Sequence, residues 1–85
     1  MTEPRTLDGN AIGGLLLELF GTELTAAPCV CAGCGAREEM ARLDVYLDCP
    51  GIVVRCRHCT DVMLTIVRGP DRTRLDLSGT RGLEL

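Results

Sequence analysis

The apolar residues of the opening stretch, "LDGNAIGGLLLELFG", recur at helical spacing. Ile12, Leu15, Leu16, Leu19 and Phe20 share one face, which predicts an N-terminal helix over about residues 8–20. Asp8 is a candidate N-cap, Leu7 and Ile12 are spaced as a hydrophobic staple, and Gly21 stands where a C-cap glycine is expected. Gly13 and Gly14 each weaken the helix by roughly 1 kcal/mol relative to Ala, so it depends on packing. Leu17 falls off the main stripe. Residues 1–6 precede this pattern and read as a flexible tail.

Further on, the period becomes two. In "RLDVYLD", Leu43, Val45 and Leu47 alternate with polar neighbours, as in a strand with one covered face. Pro50-Gly51 marks a turn, and "IVVRC" returns from it. "VMLTIVR" is apolar enough for a strand buried on both faces. Gly69-Pro70-Asp71 marks another turn. "RTRLDLS" alternates again, with Thr73, Leu75 and Leu77 facing inward, and a final "LEL" adds Leu83 and Leu85. The predicted fold class is small α+β: one N-terminal helix, then an antiparallel sheet, in a single domain over residues 7–85. No internal repeat is visible beyond a duplicated pair of cysteines.

That pair changes the picture. Cys31-Ala32-Gly33-Cys34 and Cys56-Arg57-His58-Cys59 are two C-x-x-C turns with 21 residues between them, close to the usual spacing of a four-cysteine zinc site. A C-x-x-C turn brings two sulfurs to one cation and can aim backbone N–H groups at the thiolates. Gly35, directly after the first turn, permits the positive φ such a turn often needs. Two such knuckles complete a tetrahedral sulfur shell with metal–sulfur distances of about 2.3 Å. The expected ligands are therefore Cys31, Cys34, Cys56 and Cys59, holding one zinc per chain. Disulfides would need an oxidising compartment, and no secretory pattern precedes the domain. Iron shares the sulfur geometry, but the aromatic-rich core of rubredoxins is missing.

Cys29 and Cys49 are left over, Cys29 as a small half-buried strand residue and Cys49 as a thiol beside a turn. His58 lies between two ligands of one turn and can scarcely bind the same ion. Its expected place is the exposed knuckle tip.

Composition explains why a metal would matter. The chain has 85 residues, one Phe, one Tyr and no Trp, so its core is small and aliphatic. Domains of this size commonly need disulfides, a metal or a partner chain. The formal charge is −3, and four thiolates on one divalent zinc would make it about −5. A net-acidic chain poor in aromatics disfavours nucleic-acid or anionic-lipid partners. Every basic residue is arginine. Arg37, Arg55 and Arg57 flank the knuckles, where they would offset thiolate charge. The run "LLLELF" is too short to span a bilayer, and a cytoplasmic location with reduced thiols is expected.

As a set, "LDGNAIGG", "CAGCG", "VVRCRHC" and "RLDLSG" resemble a family of small uncharacterised actinobacterial zinc-ribbon proteins over nearly all of residues 7–85. The resemblance implies a zinc ribbon, two knuckles over a small antiparallel sheet, with the metal role on Cys31, Cys34, Cys56 and Cys59. It implies no established activity. Related ribbons resemble the zinc domain of hydrogenase-maturation nickel chaperones, which bind nickel through a histidine next to the initiator methionine. Here that position is Thr2, so nickel delivery has no support.

The leading expectation is a non-enzymatic ribbon with structural zinc and a surface for a protein partner or a second copy, the latter through the helix and Leu17. Four sulfurs leave no open metal position, and no nucleophile–base arrangement stands out. The alternatives are a nucleic-acid-binding ribbon using Arg55, Arg57 and Arg72 or Arg74, and a thiol sensor or metal carrier using Cys29 or Cys49.

Overall fold

The computed structural model describes residues 6–47 and 51–84. Among the described residues there are one short helix, α1 (Gly13–Phe20), and eight strands: β1 (Thr6–Asp8), β2 (Pro28–Cys31), β3 (Arg37–Glu39), β4 (Asp44–Tyr46), β5 (Ile52–Arg55), β6 (Val62–Arg68), β7 (Thr73–Asp76) and β8 (Thr80–Leu83). The strands form two antiparallel sheets, a five-stranded one ordered β1-β4-β5-β6-β7 and a three-stranded one ordered β3-β2-β8. One continuous core, including Ile12, Leu16, Leu24, Met40, Val45, Val54, Met63 and Ile66, is drawn from the helix and both sheets.

The predicted helix over residues 8–20 is real only in its second half. Its first residue, Asp8, ends β1 instead, in which Thr6, Leu7 and Asp8 pair with Tyr46, Val45 and Asp44. A 3-10 turn over Gly9–Ile12 follows, and Asp8 caps this turn rather than the α-helix, its Oδ1 accepting from Asn10 N–H at 3.1 Å. The reason is a close approach: a Cβ at Gly9 would lie 1.9 Å from the Met40 carbonyl oxygen. The turn thus presses against a second 3-10 turn, Met40–Arg42, which a continuous helix from residue 8 would not reach. The C-terminal signal holds: Gly21 adopts φ +73° and its N–H donates to Leu17 C=O. Ile12 and Leu16 are buried, with Leu15, Leu19 and Phe20 packed partly against them. Leu17 is exposed, as its place off the stripe implies. The staple fails, because Leu7 sits on an edge strand and is exposed.

The strand readings need similar correction. Val45 and Leu43 are buried as expected, but Leu47 lies beyond the end of β4 and is exposed. β6 buries Met63, Leu64 and Ile66 yet leaves Val62 and Val67 exposed. Val62 opens the strand and Val67 is its penultimate residue, so burial is confined to the middle of β6. On β7, Leu75 is 36% exposed, and Leu77 just beyond it is 40% exposed. Alternation correctly marked an apolar face there, but β7 is an edge strand with a neighbour on one side. Leu83 packs partly against the core. Met1–Arg5 of the expected tail, Cys49-Pro50 and Leu85 lie outside the described residues, whereas Thr6 is part of β1. Among the described residues no helix is long and apolar enough to cross a membrane.

Candidate metal centre

Each C-x-x-C pair caps a hairpin, and the two hairpins belong to different sheets. Cys31 ends β2 and Cys34 lies in the turn to β3. Cys56 follows β5 and Cys59 lies in the turn to β6. Register irregularities precede both turns, between Val30 and Cys31 and between Val54 and Arg55. Such irregularities bend a strand and re-aim its side chains, here bringing the two hairpin tips together.

The tips are built alike. Cys31 N–H donates to Ala36 C=O and Gly35 N–H to Cys31 C=O, each at 2.9 Å. In the second turn Cys56 N–H donates to Asp61 C=O and Thr60 N–H to Cys56 C=O, again at 2.9 Å. Inside each loop a backbone N–H points at the first sulfur, Gly33 at Cys31 Sγ and His58 at Cys56 Sγ, both at 3.3 Å.

The four sulfurs of Cys31, Cys34, Cys56 and Cys59 all lie within 4.8 Å of one another. The sequence-predicted ligands are therefore brought together as a set. Cys31 Sγ is 3.6 Å from Cys59 Sγ, and Cys34 Sγ is 3.7 Å from Cys56 Sγ. A tetrahedron with metal–sulfur bonds of about 2.3 Å has sulfur–sulfur edges of about 3.8 Å. These two edges, each joining one knuckle to the other, fit that size. The donor set could hold a metal ion.

Electrostatics point the same way. The amides of Cys34 and Gly33 outweigh burial and hold the Cys31 thiol down at about 7. At Cys59 the Asp61 amide favours the thiolate, but desolvation and the three neighbouring thiols prevail and push it up to about 12. Cys34 is likewise held above its ordinary value despite the Ala36 amide, by desolvation and by Cys56 and Cys31. Without a cation, sulfurs this close cannot all carry charge. A divalent ion reverses that balance, because each thiolate then faces a positive charge.

The remaining candidates fall outside the cluster. Cys29 is buried on β2, its thiol directed at Ala27 C=O at 3.6 Å, and burial pushes it up to about 11. His58 is exposed at the knuckle tip as expected, but its ring has a partner the spacing did not reveal: Nε2 lies 3.0 Å from Glu38 Oε2 on β3. Arg55 donates to Thr60 C=O at 2.8 Å and lies over the Tyr46 ring, 5.8 Å from its centroid. Arg37 pairs with Glu84. Of the flanking arginines, Arg57 is exposed within the second turn, next to Cys56. Thr60 and Glu38 carried no motif signal. Aligning the two cysteine turns would have singled out Thr60, which stands where the first turn has Gly35.

The chain belongs to a family of unknown function (DUF6510), matched over residues 2–85. No curated protein and no solved structure matches it.

Proposed function

We propose that this protein is a zinc ribbon: a single-domain, non-enzymatic protein in which Cys31, Cys34, Cys56 and Cys59 hold one structural zinc, and whose surface serves protein association. The actinobacterial origin implied by the sequence resemblance belongs to the same proposal. The observation that carries it is the sulfur cluster, four thiols within 4.8 Å contributed by two hairpins of separate sheets. Thiolate sulfur selects zinc among the common divalent ions, and a shell of four sulfurs leaves no position for substrate or a reactive water. Its role is then mechanical. The ion joins the five-stranded sheet to the three-stranded one at the tips of their knuckle hairpins. A cytoplasmic location suits ligands that must stay reduced.

A nucleic-acid role is less well supported. Arg55 is engaged with Thr60 and Tyr46, and Tyr46, half-buried beneath it, offers no free platform for a base. A sensor role would need a reactive spare thiol; of the two spare thiols, Cys29 is buried and pushed towards the neutral form, and Cys49 lies outside the described residues.

Metal analysis of the purified protein, followed by circular dichroism during chelation, tests the proposal. One zinc per chain with loss of the folded spectrum on chelation is the expected result. A fold that persists with far less than one zinc per chain would overturn it.

A further inference from the structure

Among the described residues, the edge of the five-stranded sheet formed by β7 carries a self-complementary pattern. The hairpin β6–β7 is in register Thr65–Asp76, Ile66–Leu75, Val67–Arg74 and Arg68–Thr73, closed by Gly69 N–H donating to Arg72 C=O. Hydrogen-bonded pairs alternate with non-bonded ones along an antiparallel ladder. Counting in twos from the Gly69–Arg72 closure, Arg74 and Asp76 turn their backbone groups towards β6. Thr73 and Leu75 therefore turn theirs to the open edge, and the alternation sends the Leu77 N–H the same way, while the Leu77 C=O accepts from Thr80 N–H at 2.9 Å. The side chains of Thr73, Leu75 and Leu77 lie on the face shared with Ile66, and Leu75 and Leu77 are both exposed.

We infer that β7 is the contact through which two copies of this chain associate, antiparallel about a two-fold axis at Leu75. In that register Leu75 exchanges both backbone bonds with its counterpart, and Leu77 N–H reaches Thr73 C=O. Leu75 meets Leu75 on the apolar face. On the other face Arg74 stands opposite Asp76 of the second copy, twice over by symmetry. These cross-strand positions are non-bonded pairs, the kind whose side chains come closest. A two-fold contact demands such self-complementarity.

The other edges lack it. On β3 the same operation about Glu38 sets Arg37 against Glu39 but also Glu38 against Glu38, and Arg37, Glu38 and Glu39 are already engaged with Glu84, His58 and Arg42. On β1, Asp8 would face Thr6 with no opposite charge. On β8, Arg81 would face Leu83. An exposed edge is a template for pairing unless something blunts it; β7 has no proline, and its two charges, Arg74 and Asp76, are of opposite sign and fall against one another in this register.

The inference deepens the association part of the proposed function and does not depend on the metal. Its test is sedimentation equilibrium of the zinc-loaded full chain, comparing wild type with Arg74→Asp, Asp76→Arg and the double exchange. Each single exchange places like charges opposite one another at two sites, and the double exchange restores both pairs. Asp76→Arg also removes the bond from Ser78 N–H to Asp76 Oδ1, 2.9 Å, a loss the double exchange shares, so recovery of association in the double exchange reads the cross-strand pairing alone. A concentration-dependent dimer is expected, weakened about tenfold or more by either single change and recovered by the double one. Hydrogen exchange on wild type gives a readout free of substitutions. The amides of Thr73, Leu75 and Leu77 should gain protection with concentration, while those of β3 and α1 do not.

A chain that stays monomeric up to the highest attainable concentration overturns the inference. So does a dimer indifferent to all three exchanges, or one broken by Leu17→Glu, which would place the contact on the helix. Zinc content measured on the same samples keeps the two proposals apart, since a monomer with full zinc defeats only the association.

Discussion

Gly35 and Thr60 occupy the same place in the two knuckles. Each follows its second cysteine, each donates its N–H to the C=O of the first cysteine, and each has positive φ, +78° for Gly35 and +66° for Thr60. Glycine adopts this conformation freely. A β-branched residue does so rarely, because its Cβ crowds the backbone. The Thr60 hydroxyl donates to Cys59 C=O at 2.5 Å, a local bond that offsets part of the cost.

The two positions should therefore respond in opposite directions. Thr60→Gly should stabilise the metal-loaded protein by up to ~1 kcal/mol, and Gly35→Ala should cost about 1–2 kcal/mol. Denaturant midpoints of the loaded proteins, with metal content held equal, check both signs.

Because the knuckles sit on hairpins of different sheets, losing one ligand should loosen the join between the sheets as well as the site. Cys34→Ser and Cys56→Ser are expected to abolish stoichiometric metal binding and cooperative thermal unfolding. Apparent metal-binding energies of structural zinc sites, about 10–16 kcal/mol, exceed the whole stability of a domain this small. Calorimetry of each variant, beside the wild type with and without chelator, measures the effect. A sharp transition in Cys34→Ser near the wild-type midpoint would contradict it.

The clustering of the four cysteines was legible because it is written in local spacing. Cys31, Cys34, Cys56 and Cys59 needed only the two turns, and those turns are encoded by their own residues. What failed was non-local. Nothing near Leu7 says that it will pair with Val45 as an edge strand, so helical periodicity carried through Asp8 and Gly9 into a helix that begins only at Gly13. Leu75 and Leu77 alternate as a covered strand should. Whether a cover exists depends on sheet order, and β7 lies at the edge. The division into two sheets was likewise invisible, because β2 finds its second partner in β8, some fifty residues away. The His58–Glu38 contact is also long-range, and neither residue predicts the other.

Gly79 marks a junction that no motif announced. A Cβ there would stand 1.9 Å from Val62 C=O, while the Gly79 carbonyl accepts from Ala32 N–H at 2.9 Å. The chain thus passes between the first knuckle and the start of β6. The obstruction is backbone and cannot swing aside. Gly79→Ala should cost on the order of 2–3 kcal/mol and speed metal loss to a chelator, because both neighbours belong to knuckle hairpins. Gly14→Ala is the matched control: a Cβ at Gly14 meets nothing within 4 Å, and helix propensity alone should stabilise that variant by up to ~1 kcal/mol. Unfolding midpoints and chelator-release rates of the pair provide the comparison.

Cys29 should impose an alkaline limit on stability. It is buried at 1% exposure, and burial lifts its thiol from the ordinary 9.0 to about 11. Between those values the unfolded chain has released a proton that the folded chain still holds. The unfolded state then binds fewer protons, and stability falls as pH rises. The slope reaches ~1.4 kcal/mol per pH unit, with a total loss on the order of 2–3 kcal/mol by pH 11. Below about pH 8 both states keep the proton and the effect vanishes. Cys29→Ala removes the titrating group at the cost of a small cavity, about 1 kcal/mol at every pH. The two stability curves should therefore converge as pH rises from 8 to 10.5, and the variant should overtake wild type at the alkaline end. Denaturant unfolding of both proteins at several pH values, in the presence of zinc, gives the curves. Parallel curves would mean that Cys29 ionises as easily in the folded protein as in the unfolded one, and would contradict the prediction.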